Sequence, residues 1–258
     1  MFGFLPLASG SKGNCLYVGG KKGRILIDAG IPMTAVLTRL MEAKIDPGTI
    51  EAILVTHEHS DHIQGIALLA KKLKIPVLAN AETAKGICAA ISELPKFKIF
   101  TTGEPFQFGD MAIHPFSVPH DTLDPVAFTI QIEKIKLGIC ADLGHVTSLI
   151  KKHLLHCDYL YLEANHEPSM VHASNRPQSL KKRILGKQGH LSNEECGRLL
   201  KEVFHPGLKH VHLAHLSSEC NSEKMALEVV ANILKEENFS VPLSIAYQDR
   251  PSKPIFWG

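Results

Sequence analysis

The sequence predicts an α/β fold of β-sheets stacked face to face with helices outside. Three observations lead there. Strand-like and helix-like segments alternate at both ends of the chain around a β-rich middle. Many strand segments follow one another through tight turns, which suits stacked sheets better than a doubly wound sheet. With 258 residues, 45% of them hydrophobic, the chain can bury a sizeable core. One large domain or two small ones fit that length. No repeat, low-complexity stretch or linker divides it, so a single domain over 1–258 is expected.

The elements follow in order. FGFLPLA, CLYVGG and GRILIDAG are apolar, β-compatible runs bounded by Gly or Ser, the first two joined by the loop SGSKGN at 9–14. Residues 33–43 read as a helix that Pro47-Gly48 breaks. AILVT at 52–56 is a buried strand delivering His57-Glu58-His59-Ser60-Asp61-His62 at its end. Residues 63–73 read as one helix, then PVLA as a strand and 82–91 as a helix. MAIHPFSV, VAFTIQI and KLGICAD are strands, 146–155 a helix, YLYLEA a strand and 177–185 a helix. Ser192 with Glu195 three residues on predicts a capping box for a helix over 192–203. HVHLAHL is a strand, 223–236 a helix and LSIAY the final strand.

Composition narrows the class. Lys+Arg 28 against Asp+Glu 26 gives a net charge of +2, so no global field for polyanions exists and any nucleic-acid contact must be local. Aromatics are only 6%, which argues against extensive base stacking on single strands. No apolar run is long enough for a membrane helix, and the N-terminus lacks the basic start of a secretory signal. The 6 cysteines form no CxxC pair or disulfide framework. The expectation is a soluble, cytoplasmic protein without membrane partners. The 15 histidines ask for a metal or acid–base explanation.

His57, His59, Asp61 and His62 place three imidazoles and a carboxylate within six residues. The spacing differs from the helical HExxH pattern. Residues i and i+2 share a direction only in extended chain, so His57 and His59 can clasp one ion. Asp61 and His62, entering the next helix, can turn toward a second. His120, Asp142 and His215 each stand at a predicted strand end, where rigid sheets assemble sites. The expected distribution is His57, His59 and His120 on one ion, Asp61, His62 and His215 on the other, and Asp142 bridging. It leaves room for water, as catalysis requires.

These residues, with Asp28 ahead of them in ILIDAG, resemble the metallo-β-lactamase-fold hydrolase superfamily over nearly the whole chain. The resemblance implies an αββα four-layer sandwich with a dinuclear site at one edge. It implies that Asp28 braces the ligand loop without binding metal. SGSKGNC at 9–15, LEANHE at 162–167 and GHLSN at 189–193 look like the YycJ/WalJ-type exonuclease branch. The implied activity is exonuclease cleavage of double-stranded DNA with low sequence specificity, using two divalent ions (zinc or manganese, with iron a further candidate) and a metal-bridging hydroxide. The stretch between Asp142 and His215 is too short for a β-CASP insertion.

Within that reading Asp61 and His190 are the candidate catalytic residues: Asp61 holds the attacking hydroxide and His190 serves the leaving oxygen. Ser9, Ser11, Lys12 and Asn14 offer hydroxyls, backbone N–H groups and a charge to phosphate, although Gly-rich turns also serve as plain turns. Ser192, at a helix N-terminus, is a further phosphate contact. Glu163 and His166 are expected to orient a metal-binding histidine. Among the basic clusters, Lys181-Lys182-Arg183 with Lys187 is the expected DNA track, and Lys71-Lys72-Lys74 reads as a solvated helix face. The alternatives are a small-molecule hydrolase (a glyoxalase II-type thioesterase or a cyclic phosphodiesterase), a tRNA-processing endonuclease, and a binding module stapled by metal.

Overall fold

In the computed structural model, which describes residues 1–257, the chain contains β1 (Gly3–Ala8), β2 (Cys15–Gly19), β3 (Arg24–Ile27), α1 (Met33–Glu42), β4 (Ala52–Leu54), α2 (Ser60–Ile63) and α3 (Ile66–Leu73). Then come β5 (Val77–Ala79), α4 (Ala81–Ala90), β6 (Phe97–Ile99), β7 (Phe106–Phe108), β8 (Met111–Ser117), β9 (Val126–Ile132) and β10 (Ile135–Cys140). The remainder is α5 (Ser148–Leu154), β11 (Tyr159–Glu163), α6 (Pro168–Ala173), α7 (Gln178–Ile184), α8 (Asn193–Val203), β12 (His210–Ala214), α9 (Glu223–Glu236), β13 (Leu243–Ile245) and β14 (Ile255–Phe256).

The chain folds into two compact units. The first comprises Met1–Pro115, Thr122–Val126 and the residues from Tyr247 onward. Its sheet runs β14-β1-β2-β3-β4-β5-β6, antiparallel through β3 and parallel from there. Parallel neighbours need crossovers, and α1, α2–α3 and α4 supply them. Leu26, Ile53 and Val77 of the sheet are buried with Val36 and Leu40 of α1, Leu69 of α3 and Ile87 of α4. The second unit comprises Phe116–Asp121 and Ala127–Ala246. Here β9 and β10 form a hairpin, and β10, β11, β12 and β13 run parallel. Gly197 of α8 lies so close to α9 that a Cβ there would stand 2.6 Å from Ile233 Cδ1. In both units the parallel strands send their carboxyl ends to one edge, where open α/β sheets bind ligands.

Three differences from the sequence reading have local causes. The expected helix over 63–73 is broken after Ile63, because Gly65 turns in to donate its N–H to Ala29 O (2.7 Å). LSIAY is not the last strand: β14 follows and closes the first sheet beside β1. β6, β7 and α6 had no expectation, being too short for a clear period. The helix over 223–236 and the Ser192 capping box are present as read. All six cysteines are free, and only Cys88, on α4, is exposed. Among the described residues no helix is long and apolar enough to cross a membrane.

Candidate metal centre

In the first unit β4 ends at Leu54 and the chain passes directly into the histidine segment. Asp28, one residue past β3, accepts from Thr56 N (2.9 Å) and Thr56 Oγ1 (2.9 Å) and lies 2.8 Å from His62 Nδ1. A proton on Nδ1 shared with that carboxylate leaves the His62 Nε2 lone pair for a metal, the arrangement by which carboxylates orient metal-binding histidines. Nε2 is 3.6 Å from Asp61 Oδ2 and 3.0 Å from Asn14 Nδ2. His57 is buried, and its Nε2 meets His59 Nδ1 at 3.2 Å. Two imidazole nitrogens that close either share a proton or share a cation. Gly30 makes this loop possible: a Cβ there would lie 1.5 Å from Asp61 O.

In the second unit the donors come from separate strand ends. Asp142 follows β10, Glu163 ends β11, and His215 follows β12. Asp142 Oδ1 stands 3.9 Å from His120 Nε2, 3.5 Å from His190 Nδ1 and 3.3 Å from His215 Nδ1. Glu163 is fully buried and accepts four hydrogen bonds. His190 Nδ1 (2.8 Å) and His215 Nδ1 (2.9 Å) reach one oxygen, and Leu143 N (3.0 Å) and Leu191 N (3.1 Å) the other. Burial pushes its carboxyl up, but the His190 charge and the bonds from His190 and His215 outweigh that and hold it at about 2. His120 donates Nδ1–H to Gly189 O (3.0 Å), and burial holds its ring below the usual histidine range. It therefore stays neutral with Nε2 as an acceptor.

Ligand atoms of Asp142, Glu163, His190 and His215 all lie within 4.8 Å of one another. Such a set of imidazoles and carboxylates suits a divalent cation of the zinc or manganese kind, and so, by itself, does the His57–His59 pair of the first unit. Three of the strand-end residues have left-handed backbone: Asp28 (φ 58), Asp142 (φ 58) and His215 (φ 54). Residues other than Gly pay for that conformation, and such strain concentrates at functional sites.

The other expected residues divide. Ser11 and Lys12 are exposed and line a cavity with Asp61 and Ser60. Ser9 and Asn14 are buried. The Asn14 amide reaches Gly10 O, Asp61 O, Asp61 Oδ2 and His62 Nε2, so it steers the ligand loop. The Ser192 hydroxyl donates to Glu195 Oε2 (2.9 Å) and accepts from Glu195 N (3.2 Å), which commits it to the cap. His166 is buried with Nδ1 unpartnered and touches neither Glu163 nor His215 through a hydrogen bond. Two members of the 181–187 cluster are engaged internally, while Lys182 and Lys187 are exposed. Lys181 is buried on His172 O (2.6 Å), and Arg183 forks onto Asp121 (2.5 and 3.1 Å). Thr56 escaped the sequence reading; its hydroxyl links Asp28, His57 and His62, and its place directly before the histidines was the available signal.

Comparison with known proteins adds the following. The family model described as the beta-lactamase superfamily domain matches residues 23–213. Exodeoxyribonuclease YycJ of Bacillus anthracis is 36% identical over 97% of this chain and 96% of its own. Exodeoxyribonuclease WalJ of Streptococcus pneumoniae serotype 2 is 31% identical over 96% of this chain and 94% of its own. The crystal structure of the metallo-beta-lactamase fold protein YhfI from Bacillus subtilis superposes with a TM-score of 0.72 at 19% identity, covering 97% of this chain and 99% of that one. That likeness shows the fold, the α/β sandwich that the sequence predicts.

Proposed function

From the beta-lactamase superfamily, to which this chain belongs as a metal-dependent hydrolase of the nuclease kind, we propose that it is an exodeoxyribonuclease that degrades double-stranded DNA with two divalent ions. The observation that carries the reading is the 36% identity spanning nearly all of a protein named for that activity. The buried, oriented donors in each unit support it. The ligand set is the one read from the sequence: His57, His59 and His120 for one ion, Asp61, His62 and His215 for the other, with Asp142 between. The chain works as a single domain in the cytoplasm, without a β-CASP insertion.

Bound cations would acidify a water and clamp the phosphate oxygens. The side chains do the rest. Asp28 and Glu163 hold the Nδ1 protons of His62 and His215, so that both rings present Nε2. Asp61 accepts a hydrogen bond from the attacking water and aims it. His190, held by Glu163 through Nδ1, turns Nε2 toward the leaving oxygen and gives it a proton. The proton leaves Nε2 of the imidazolium form of His190, and the buried Glu163 carboxylate on Nδ1 orients and stabilises that charged ring, which is neutral once the proton has gone.

The test is a digest of end-labelled duplex DNA, single-stranded DNA and RNA with added manganese or zinc, run beside a hydroxyacyl-glutathione thioester. Stepwise loss of terminal nucleotides from duplex DNA is expected. Faster turnover of RNA or of the thioester would give the site to one of the alternatives.

A further inference from the structure

Two cavities of the first unit flank the same helical segment. One, of about 630 Å³, lies at the ligand end and is lined by Ser11, Lys12, Ser60, Asp61, Gln64 and Ile91. The other, of about 500 Å³, has Ala67, Lys71 and Lys74 on one wall and Glu93, Lys96 and Lys98 on the other. No described residue lines both, but the chain segments that line one run on into those that line the other. Ala67 and Lys71, four residues apart, share a face of α3, with Gln64 just before that helix and Lys74 at its C-cap. Residues 90 and 91 face the first cavity, and 93–96 continue beside the second. α3 itself, eight residues long, runs about 12 Å at 1.5 Å per residue.

Charge distinguishes the far end. Lys71 pairs with Glu93 (2.5 Å) across the two walls. Lys74, Lys96 and Lys98 have no carboxylate within ion-pair distance among the described residues. Elsewhere Lys85, Lys151, Lys201 and Lys209 each have one. Three uncompensated cations gathered in one concavity focus a positive potential. The floor between them, Ala70, Ile75 and Pro76, is apolar.

We infer that the two cavities form one groove, and that it binds the backbone of the DNA strand being degraded, from the ligand segment at one end to Lys74, Lys96 and Lys98 at the other. This rests on the nuclease reading above and adds a binding site to it. Phosphates along one strand recur every ~3.4 Å, so the length of α3 alone covers roughly three or four of them. Ser11, Lys12 and Ser60 take the phosphates near the cut, and the lysines take those several nucleotides further along the strand. Lys74, Lys96 and Lys98, and not Lys181 and Arg183, are then the DNA track, because the former open on the groove while the latter are engaged within the fold.

The metal-loaded, full-length protein and its K74Q/K96Q/K98Q variant would be titrated with a fluorescein-labelled duplex of about 20 base pairs carrying cleavage-resistant phosphorothioate linkages. Each lost phosphate contact removes about 0.9 from the slope of log K against log salt, so the slope should shrink by roughly 2 to 3 between about 50 and 200 mM. The kcat/KM for a normal duplex of that length, divided by that for a dinucleotide, should fall at least tenfold. A K182Q/K187Q variant serves as control. An unchanged slope overturns the groove, as does an equal loss in the control. So does a triple variant that binds DNA normally but no longer binds poly-glutamate, which would give the groove to an acidic protein. A wild-type protein that cuts no DNA strikes the nuclease reading instead, and the slope still judges the groove.

Discussion

The two units present their donors in opposite ways. In the first, four candidate ligands sit on one six-residue stretch, and the sheet only has to hold that stretch still. In the second, the donors come from the ends of three parallel strands and two loops, and one buried carboxylate ties two of them together. A contiguous segment keeps its residue spacing whatever the surrounding packing does. A dispersed set exists only while the sheet and Glu163 hold. Substitutions in the first unit should therefore act on chemistry, and those in the second on chemistry and stability together.

The largest effect should come from Asp61→Ala. Turnover of duplex DNA should drop to background while the denaturation midpoint stays near wild type. A variant that cuts at the wild-type rate would remove Asp61 from the reaction. Next comes His190→Ala, expected to slow hydrolysis by ~10²–10⁴ if the ring serves as acid. Steady-state rates across pH check this, because the loss should be greatest where the wild-type ring donates.

Glu163 probes the second unit directly. Glu163→Ala leaves two imidazole N–H groups and two backbone N–H groups facing a buried void, and should cost about 3–5 kcal/mol by urea unfolding. Glu163→Gln keeps an oxygen and should cost less. The same residue sets an acid limit. Its folded carboxyl sits near 2, below the ordinary carboxylate value, so its contribution is complete above the unfolded value of 4.5 and disappears as pH falls from there toward 2. His120 acts in the same direction from higher pH, since its folded value lies below the unfolded 6.5 and protonation favours the unfolded chain below that. An acid-unfolding midpoint that E163Q leaves in place would break this account. The smallest effect should be Asp28→Asn, which removes the carboxylate from His62 Nδ1 and should weaken metal binding 10–100-fold by calorimetric titration without unfolding the protein.

The same contrast explains what could be read in advance. The 57–62 segment, the strands that precede Asp142 and His215, and the helix over 223–236 are local patterns, and period or spacing gives them away. The break at Gly65 depends on a hydrogen bond to Ala29, thirty-odd positions upstream, which no window of sequence contains. Asn14 and Ser192 carry side chains that suit phosphate, yet each is consumed by a neighbour: a ligand loop in one case and a helix cap in the other. The left-handed backbone of Asp28, Asp142 and His215 is equally invisible, because Asp and His carry no glycine-like mark of it. The basic clusters were the least legible. Charge runs look alike in one dimension, and only the fold separates Arg183, tied to Asp121, from Lys74, open to solvent.

The cysteines have a practical corollary. Five of the six thiols are shut inside the fold, and burial raises those of Cys15, Cys140, Cys157 and Cys196 far above neutrality. Only Cys88 is exposed, two residues before Ala90 at the groove. A maleimide dye should attach there with a stoichiometry near one, on unaltered protein. Its emission would then report strand entry in real time.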